Sequence, residues 1–407
     1  MRLGRQIVMT VIIVTAAIVP SRAADAADAA PPATQPAFAI RGIKGLWWEG
    51  MEKYRLALPW VADHGMNFLM FCYTSFPASG KDWRSEYSAA EQQGFRKLAA
   101  EADRRGVELC LSFNPGLWSK PPLTYASESD YQLAWKKVRS VHALGIRSFA
   151  LCLDDINRKL EPADVERFKT LENAQVYFVN RLWKDMQSLS PRPRRLIFCP
   201  SAYTTKDAKA HERYIRKIGE LDPQIDVFWT GPVTCSPTIT AADARQFAQW
   251  VGRKPLVWDN YPVNDMFPWR PLMAPVKGRA ADLGGSVIGV MANPMKQWEA
   301  SKIPLATLAA YLRDPPHYDP AKAEADAVKE YPAEQREAVR ALLAVYGTTF
   351  LGEKGYPPKP AAEDLAKLKA LRDQLSTTKG LEALWADVKP TVEADLAALE
   401  KAAAATK

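Results

Sequence analysis

The sequence predicts an α/β protein, a (β/α)8 barrel of the TIM type with a small C-terminal helical appendage. Three observations lead there. Eight short apolar, β-branched or aromatic runs recur along the chain, ending near Leu46, Phe71, Phe113, Leu153, Cys199, Trp229, Trp258 and Met291. Their mean spacing of about 35 residues is the size of one βαβ step. Several runs, such as Phe149-Ala150-Leu151-Cys152-Leu153, are continuously apolar, which suits parallel strands covered on both faces. No G-x-G-x-x-G or Walker-type loop supports an open nucleotide-binding sheet instead.

The elements follow in chain order. Arg2 and Arg5 form a positive head before the apolar run Ile7 to Val19, and Ser21-Arg22-Ala23 or Ala24-Asp25-Ala26 offers a small-residue cleavage site. Residues 1–23 therefore read as a signal peptide. The apolar run is shorter than the roughly 20 residues a membrane span needs, and no later stretch reaches that length without charges. A secreted or periplasmic protein with no membrane span after cleavage is expected. Residues 24–37 are an Ala/Pro-rich, flexible lead-in, and the barrel is assigned to residues 38–320. Within it, Thr240 and Asp243 open a helix that stops at Gly252, and the helix carrying Trp135, Val138 and Val141 stops at Gly145. From 321 to 407 the composition shifts to Ala, Glu, Lys and Leu. There Leu365, Leu368, Leu371 and Leu375, and then Leu381, Leu384, Trp385 and Val388, recur at helical spacing. The stretch Gly355 to Pro360 reads as a break between helical pieces.

Composition narrows the function. The chain has 407 residues, 47% hydrophobic and 25% charged, which excludes a disordered tail, a collagen-like fibre and a small disulfide scaffold. Removing residues 1–23 deletes three arginines and no acid, so the net charge falls from +8 to 8 − 3 = +5. That mild excess gives no reason to expect a nucleic-acid partner. The densest basic cluster, Arg192, Arg194 and Arg195, reads as a solvated loop before a strand. Cys72, Cys110, Cys152 and Cys199 fall in apolar runs without C-x-x-C spacing and read as buried small hydrophobes. The four histidines, His64, His142, His211 and His317, are scattered, so neither a metal site nor any other cofactor is expected.

Functional groups of such a barrel gather where the strands end. Just after the apolar runs stand Trp47 and Trp48; Tyr73 and Thr74; Asn114; Asp154 and Asp155; Tyr203; Thr230 and Gly231; Asp259, Asn260 and Asp265; and Asn293. Aromatic faces with amides and carboxylates suit a carbohydrate, whose rings present C–H faces for stacking and hydroxyls for hydrogen bonds. Asp154-Asp155 is the sharpest feature. Like charges so close push one pKa up, which supplies a proton donor. Neighbours on an extended chain point to opposite sides, so they cannot face each other as the acid and nucleophile of a retaining pair about 5 Å apart. One would hold a substrate group while the other protonates the leaving oxygen. The plainer alternative is a pair that caps the next helix or meets solvent. Likewise Asn260 and Asp265 could merely stabilise turns around Pro262, Asn293-Pro294 could start a turn, and Trp229, Trp258 and Tyr203 could be packing or surface aromatics.

The ordered set Ser148 to Ile156, Cys199-Pro200-Ser201-Ala202-Tyr203, Trp229-Thr230-Gly231, Trp258 to Asp265 and Asn293-Pro294-Met295 resembles the catalytic domain of glycoside hydrolase family 84. That family comprises the O-GlcNAcases and bacterial β-N-acetylglucosaminidases, and the similarity covers roughly residues 39–320. The resemblance implies retaining hydrolysis of terminal β-linked N-acetylglucosamine, with the substrate's own acetamido oxygen as nucleophile. It implies that Asp154 orients and polarises the acetamido N–H and that Asp155 is the general acid/base. Tyr203 would line the acetamido pocket, Asn260, Asp265 and Asn293 would bind the sugar, Trp258 would form a wall, and Gly45 would give a backbone contact. No protein nucleophile is then required, as in other substrate-assisted hydrolases. Two places depart from the family pattern. Cys72-Tyr73-Thr74-Ser75 stands where a lysine-bearing turn is usual, and Gly45-Leu46-Trp47-Trp48-Glu49-Gly50 replaces a Gly-aromatic-Tyr-Gly pattern. The alternative readings are a carbohydrate-binding barrel with lost or altered catalysis and, less well supported, a divalent-metal hydrolase using Asp154, Asp155 and Asp265.

Overall fold

The computed structural model describes residues 36–267, 270–349 and 362–405. The expected signal peptide, nearly all of the lead-in and the break at 355–360 lie outside them. Eight parallel strands close a barrel in sequence order: β1 (Ile40–Lys44), β2 (Phe68–Phe71), β3 (Glu108–Phe113), β4 (Ser148–Cys152), β5 (Arg195–Cys199), β6 (Asp226–Trp229), β7 (Leu256–Pro262) and β8 (Gly289–Asn293). The expected strands are present with small boundary shifts. β1 stops at Lys44, and β7 runs on to Pro262 through a register shift after Asp259.

Strand periodicity sorts the core into two layers. One side of each strand enters a cluster inside the barrel, including Ile40, Met70, Cys110, Ala150, Cys152, Ile197, Cys199, Phe228, Trp258 and Met291. The other side, including Ile43, Leu69, Leu111, Leu151, Phe198, Val227 and Val290, meets the helices. This alternation is the ordinary consequence of pleating in a closed sheet. Cys72, Cys110, Cys152 and Cys199 are buried and unbridged, as their apolar surroundings in the sequence suggest.

At the N-terminal ends of the strands the inward series closes with charge. Arg195 Nε donates to Glu108 Oε1 at 2.6 Å and its Nη1 to Asp226 Oδ2 at 2.7 Å, while Ser148 Oγ donates to Glu108. The basic cluster therefore does not lie wholly in a solvated loop. Its last member is the first residue of β5 and holds a largely enclosed ion triad.

The surrounding helices are α1 (Glu52–Asp63), α2 (Ala89–Arg105), α3 (Glu128–His142), α4 (Pro162–Phe168), α5 (Leu171–Met186), α6 (Thr205–Ala210), α7 (Glu212–Ile218), α8 (Ala241–Val251) and α9 (Trp298–Arg313). Helix α8 has the expected capping box of Thr240 with Asp243 and ends at a left-handed Gly252. Helix α3 ends at His142, ahead of Gly145. Among the described residues between β7 and β8 only the short turn Leu283–Gly285 is helical, and the long loop there carries Asp265 towards the strand ends.

Beyond the barrel come α10 (Pro320–Lys329), α11 (Arg336–Tyr346), α12 (Leu365–Thr377) and α13 (Glu382–Ala405). Leu368, Leu371, Leu375, Leu384 and Val388 are buried as the helical spacing predicts, and they join the same apolar cluster as the barrel helices. Asp395 on α13 receives Arg270 Nη1 at 2.8 Å and the Tyr346 hydroxyl at 2.9 Å. Asp387 receives the backbone N–H of Glu299, in the first turn of α9, at 2.7 Å. The C-terminal region is thus welded to the barrel by shared core and by polar anchors.

Candidate active site

A cavity of about 430 Å³ opens at the C-terminal ends of the strands. Asp154, Asp155, Tyr203, Trp258, Asn260, Asp265 and Asn293 all line it. Gly45 does not. Its carbonyl accepts from the Tyr54 hydroxyl at 2.9 Å and from Ser75 Oγ at 3.2 Å.

The acid pair sits just past β4. The inward series Ala150, Cys152 continues to Asp154, which is 5% exposed. Its Oδ2 accepts a 2.6 Å hydrogen bond from the Tyr73 hydroxyl, and its Oδ1, equally buried, has no hydrogen-bond partner among the described residues. Asp155 is exposed, adopts a left-handed backbone with φ 54°, and accepts from the Tyr203 hydroxyl at 2.9 Å. The expectation that extended neighbours diverge fails here for a physical reason. The strand ends at Cys152, and the left-handed turn brings the second carboxylate to the same cavity. Asn114 Nδ2 donates to the Asp154 carbonyl at 3.2 Å, and Ser201 Oγ donates to the Leu153 carbonyl at 2.7 Å. Neighbouring strands so brace the segment from both sides.

Electrostatics bears on the buried acid. Burial holds the Asp154 carboxyl above the usual carboxylate range, while the Lys44 charge and the Tyr73 hydrogen bond pull it back down. The Asp155 charge adds a smaller upward push. An upward shift of one acid is thus present in direction, but desolvation is its first cause, and it falls on Asp154, the acid the resemblance makes an acceptor and not the proton donor. The Tyr73 and Tyr203 hydroxyls are both pushed up, by burial first and by the adjacent carboxylates next. Both remain protonated donors.

The opposite wall comes from β7, β8 and the loop between them. Trp258 Nε1 lies 3.0 Å from Asn260 Oδ1, and the amides of Asn260 and Asn293 approach to 2.7 Å. Asn260 Nδ2 donates to the Thr234 carbonyl at 2.8 Å. Because β7 is longer than expected, Asp259 and Asn260 lie within the strand and face opposite ways. Asn260 reaches the cavity; Asp259 forms a buried pair with Arg279. Trp229 and Trp48 are fully buried packing residues, so their place near strand ends carries no site. Among the described residues no cluster of three or more His, Cys, Asp or Glu is placed to hold a metal.

Sequence reasoning missed several lining residues and a buried lysine behind them. Trp118 is 58% exposed beside Trp47 with ring centroids 6.1 Å apart, and both adopt left-handed backbone, φ 58° and 60°. Trp47 Nε1 donates to Asp265 Oδ2 at 3.1 Å. Cys235 and Met266 complete the rim. Lys44, fully buried, lies beneath the cavity with its ammonium 3.0 Å from the centre of the Trp258 ring. Its position was readable, since Ile40, Gly42 and Lys44 share one strand parity.

Comparison with known proteins agrees with this architecture. The profile of the beta-N-acetylglucosaminidase family matches residues 39–344. Protein O-GlcNAcase of Rattus norvegicus and that of Mus musculus are each 31% identical over 235 residues, 57% of this chain. This chain spans only 25% of the length of those curated relatives. An O-GlcNAc hydrolase variant from Thermobaculum terrenum has a similar structure, with TM-score 0.79 and 25% identity over 89% of this chain and 83% of that one. From its first barrel strand into α11, the chain belongs to the beta-N-acetylglucosaminidase family.

Proposed function

We propose that this chain is an exported glycoside hydrolase that removes terminal β-linked N-acetylglucosamine, or a related 2-acetamido sugar, with retention of configuration. One observation carries the reading. Two consecutive carboxylates share one cavity in different environments, one buried with an open acceptor and the other exposed beside a tyrosine hydroxyl. In the first step the acetamido carbonyl oxygen attacks the anomeric carbon as the glycosidic C–O bond breaks. Asp155 delivers its proton to the departing oxygen, and Asp154 accepts the acetamido N–H, which steadies the developing positive charge. In the second step Asp155, now a carboxylate, takes a proton from water as that water opens the cyclic intermediate. Asn260, Asp265 and Asn293 hold hydroxyls, and Trp258 walls the pocket. No metal or cofactor is required.

The test is hydrolysis of aryl N-acetyl-β-glucosaminides whose acetyl group carries increasing fluorine. Rates should fall steeply as the acetamido oxygen loses basicity; a flat series would exclude its participation. Binding of the sugar without turnover at any pH would favour the binding-barrel alternative, and loss of activity in chelator would favour the metal one. Export rests on the sequence of residues 1–23, and N-terminal sequencing of the mature protein from its host tests it. A chain that still begins at Met1 would refute it.

A further inference from the structure

Lys44 has no role in the scheme above, yet its placement is costly. It is 0% exposed, and its Nζ has no hydrogen-bond partner among the described residues. A buried ammonium without partners is strongly disfavoured unless the surroundings compensate it. Here the compensation is aromatic. The Nζ sits 3.0 Å from the centre of the Trp258 ring and 4.7 Å from that of Tyr73, and ring faces attract cations. Those same side chains border the acid. Tyr73 donates to Asp154 Oδ2, and Trp258 lines the cavity beside it. Among the described residues no lysine or arginine lines the cavity itself.

We propose that Lys44 is a positioning residue whose ammonium, parked on the faces of Trp258 and Tyr73, keeps Asp154 a carboxylate with one oxygen open to the ligand. This rests on the assignment of Asp154 to the acetamido N–H. A direct salt bridge would occupy Oδ1, and the acceptor would be lost to the substrate. A lysine held back by aromatic faces supplies the charge through space and leaves that oxygen free. The groups facing Asp154 are Tyr73 from the β2 end, Cys152 from β4 and Asp155 beside it, Cys199 and Tyr203 from the β5 side, and Lys44 from β1. Lys44 is the one cation among them. Without it, burial is opposed only by hydrogen bonds, from the Tyr73 hydroxyl and from the Asp154 backbone. Asp154 then binds a proton at higher pH, and a protonated carboxyl no longer serves as a pure acceptor.

The experiment measures Asp154 directly. The protein is labelled with 13C at Asp carboxyls, the Asp154 signal is assigned by its absence in Asp154→Asn, and its titration is followed in wild type and Lys44→Met. In parallel, kcat/KM is measured against pH with an aryl N-acetyl-β-glucosaminide. The Asp154 midpoint and the acidic limb of kcat/KM should both move upward in Lys44→Met by about one pH unit or more, the effect expected for loss of one nearby opposite charge. An unmoved midpoint in folded Lys44→Met overturns the proposal, because a merely structural lysine would leave it in place. Should Lys44→Met fail to fold, the wild-type midpoint decides: below neutrality it supports the proposal, and above neutrality it overturns it. A shifted midpoint in a protein that hydrolyses nothing would defeat the glycosidase reading and leave the role of Lys44 standing.

Discussion

Asp154 and Asp155 are covalent neighbours that serve one cavity from opposite environments. The first is buried and bound by Tyr73 at 2.6 Å; the second is exposed, left-handed and bound by Tyr203 at 2.9 Å. A single turn at the end of β4 creates that difference.

Replacing Asp155 by Asn should slow turnover by about 10²–10⁴-fold for aglycones that are poor leaving groups, because proton donation matters most there. Aryl substrates with good leaving groups should lose much less in their bond-breaking step. Equal losses across a leaving-group series would remove Asp155 from the role of acid.

Asp154→Asn should be inactive yet more stable than wild type at neutral pH. Burial raises the folded-state pKa of Asp154 above its unfolded value, so the folded state binds more protons between the two. Stability therefore falls as pH rises through that window, and wild type carries the full penalty above the folded pKa. Asn carries none. The difference in Tm between the two proteins should shrink as pH drops from about 7 to about 4. A variant less stable than wild type at neutral pH contradicts this account.

Trp118 combines a left-handed backbone, which costs a non-glycine residue roughly 1–2 kcal/mol, with an exposed ring at the cavity rim. Trp118→Gly should leave thermal stability unchanged or slightly raised, since glycine adopts that conformation freely. KM should rise about 2- to 10-fold if the ring stacks on substrate. An unchanged KM would show that the ring does not touch it.

Arg279→Ala should destabilise the fold by about 3–5 kcal/mol, because it strands a buried charge. Asp259 and Arg279 side chains are 2% and 1% exposed, and Arg279 also binds the carbonyls of Ser236, Pro237 and Lys277. Urea denaturation measures the loss. Adding Asp259→Leu to that variant should recover part of it; no recovery would mean the backbone contacts dominate.

The local pattern of residues determined much of this protein. Continuous apolar runs at regular spacing announce buried parallel strands, and the polar residues that end them announce the cavity, because both depend on neighbours along the chain. Asp154, Asn260 and Asn293 were legible for that reason. What tertiary structure alone decided involves partners far apart in sequence. Barrel closure sets Lys44 of β1 against Trp258 of β7, and Arg195 of β5 between Glu108 and Asp226. Helix packing sets Asp395 against Arg270 and Tyr346. The pleat tells which side of a strand a residue occupies, but only closure and register bring particular inward residues together. The charge on the floor of the site, and through it the state of its buried acid, is settled at that level.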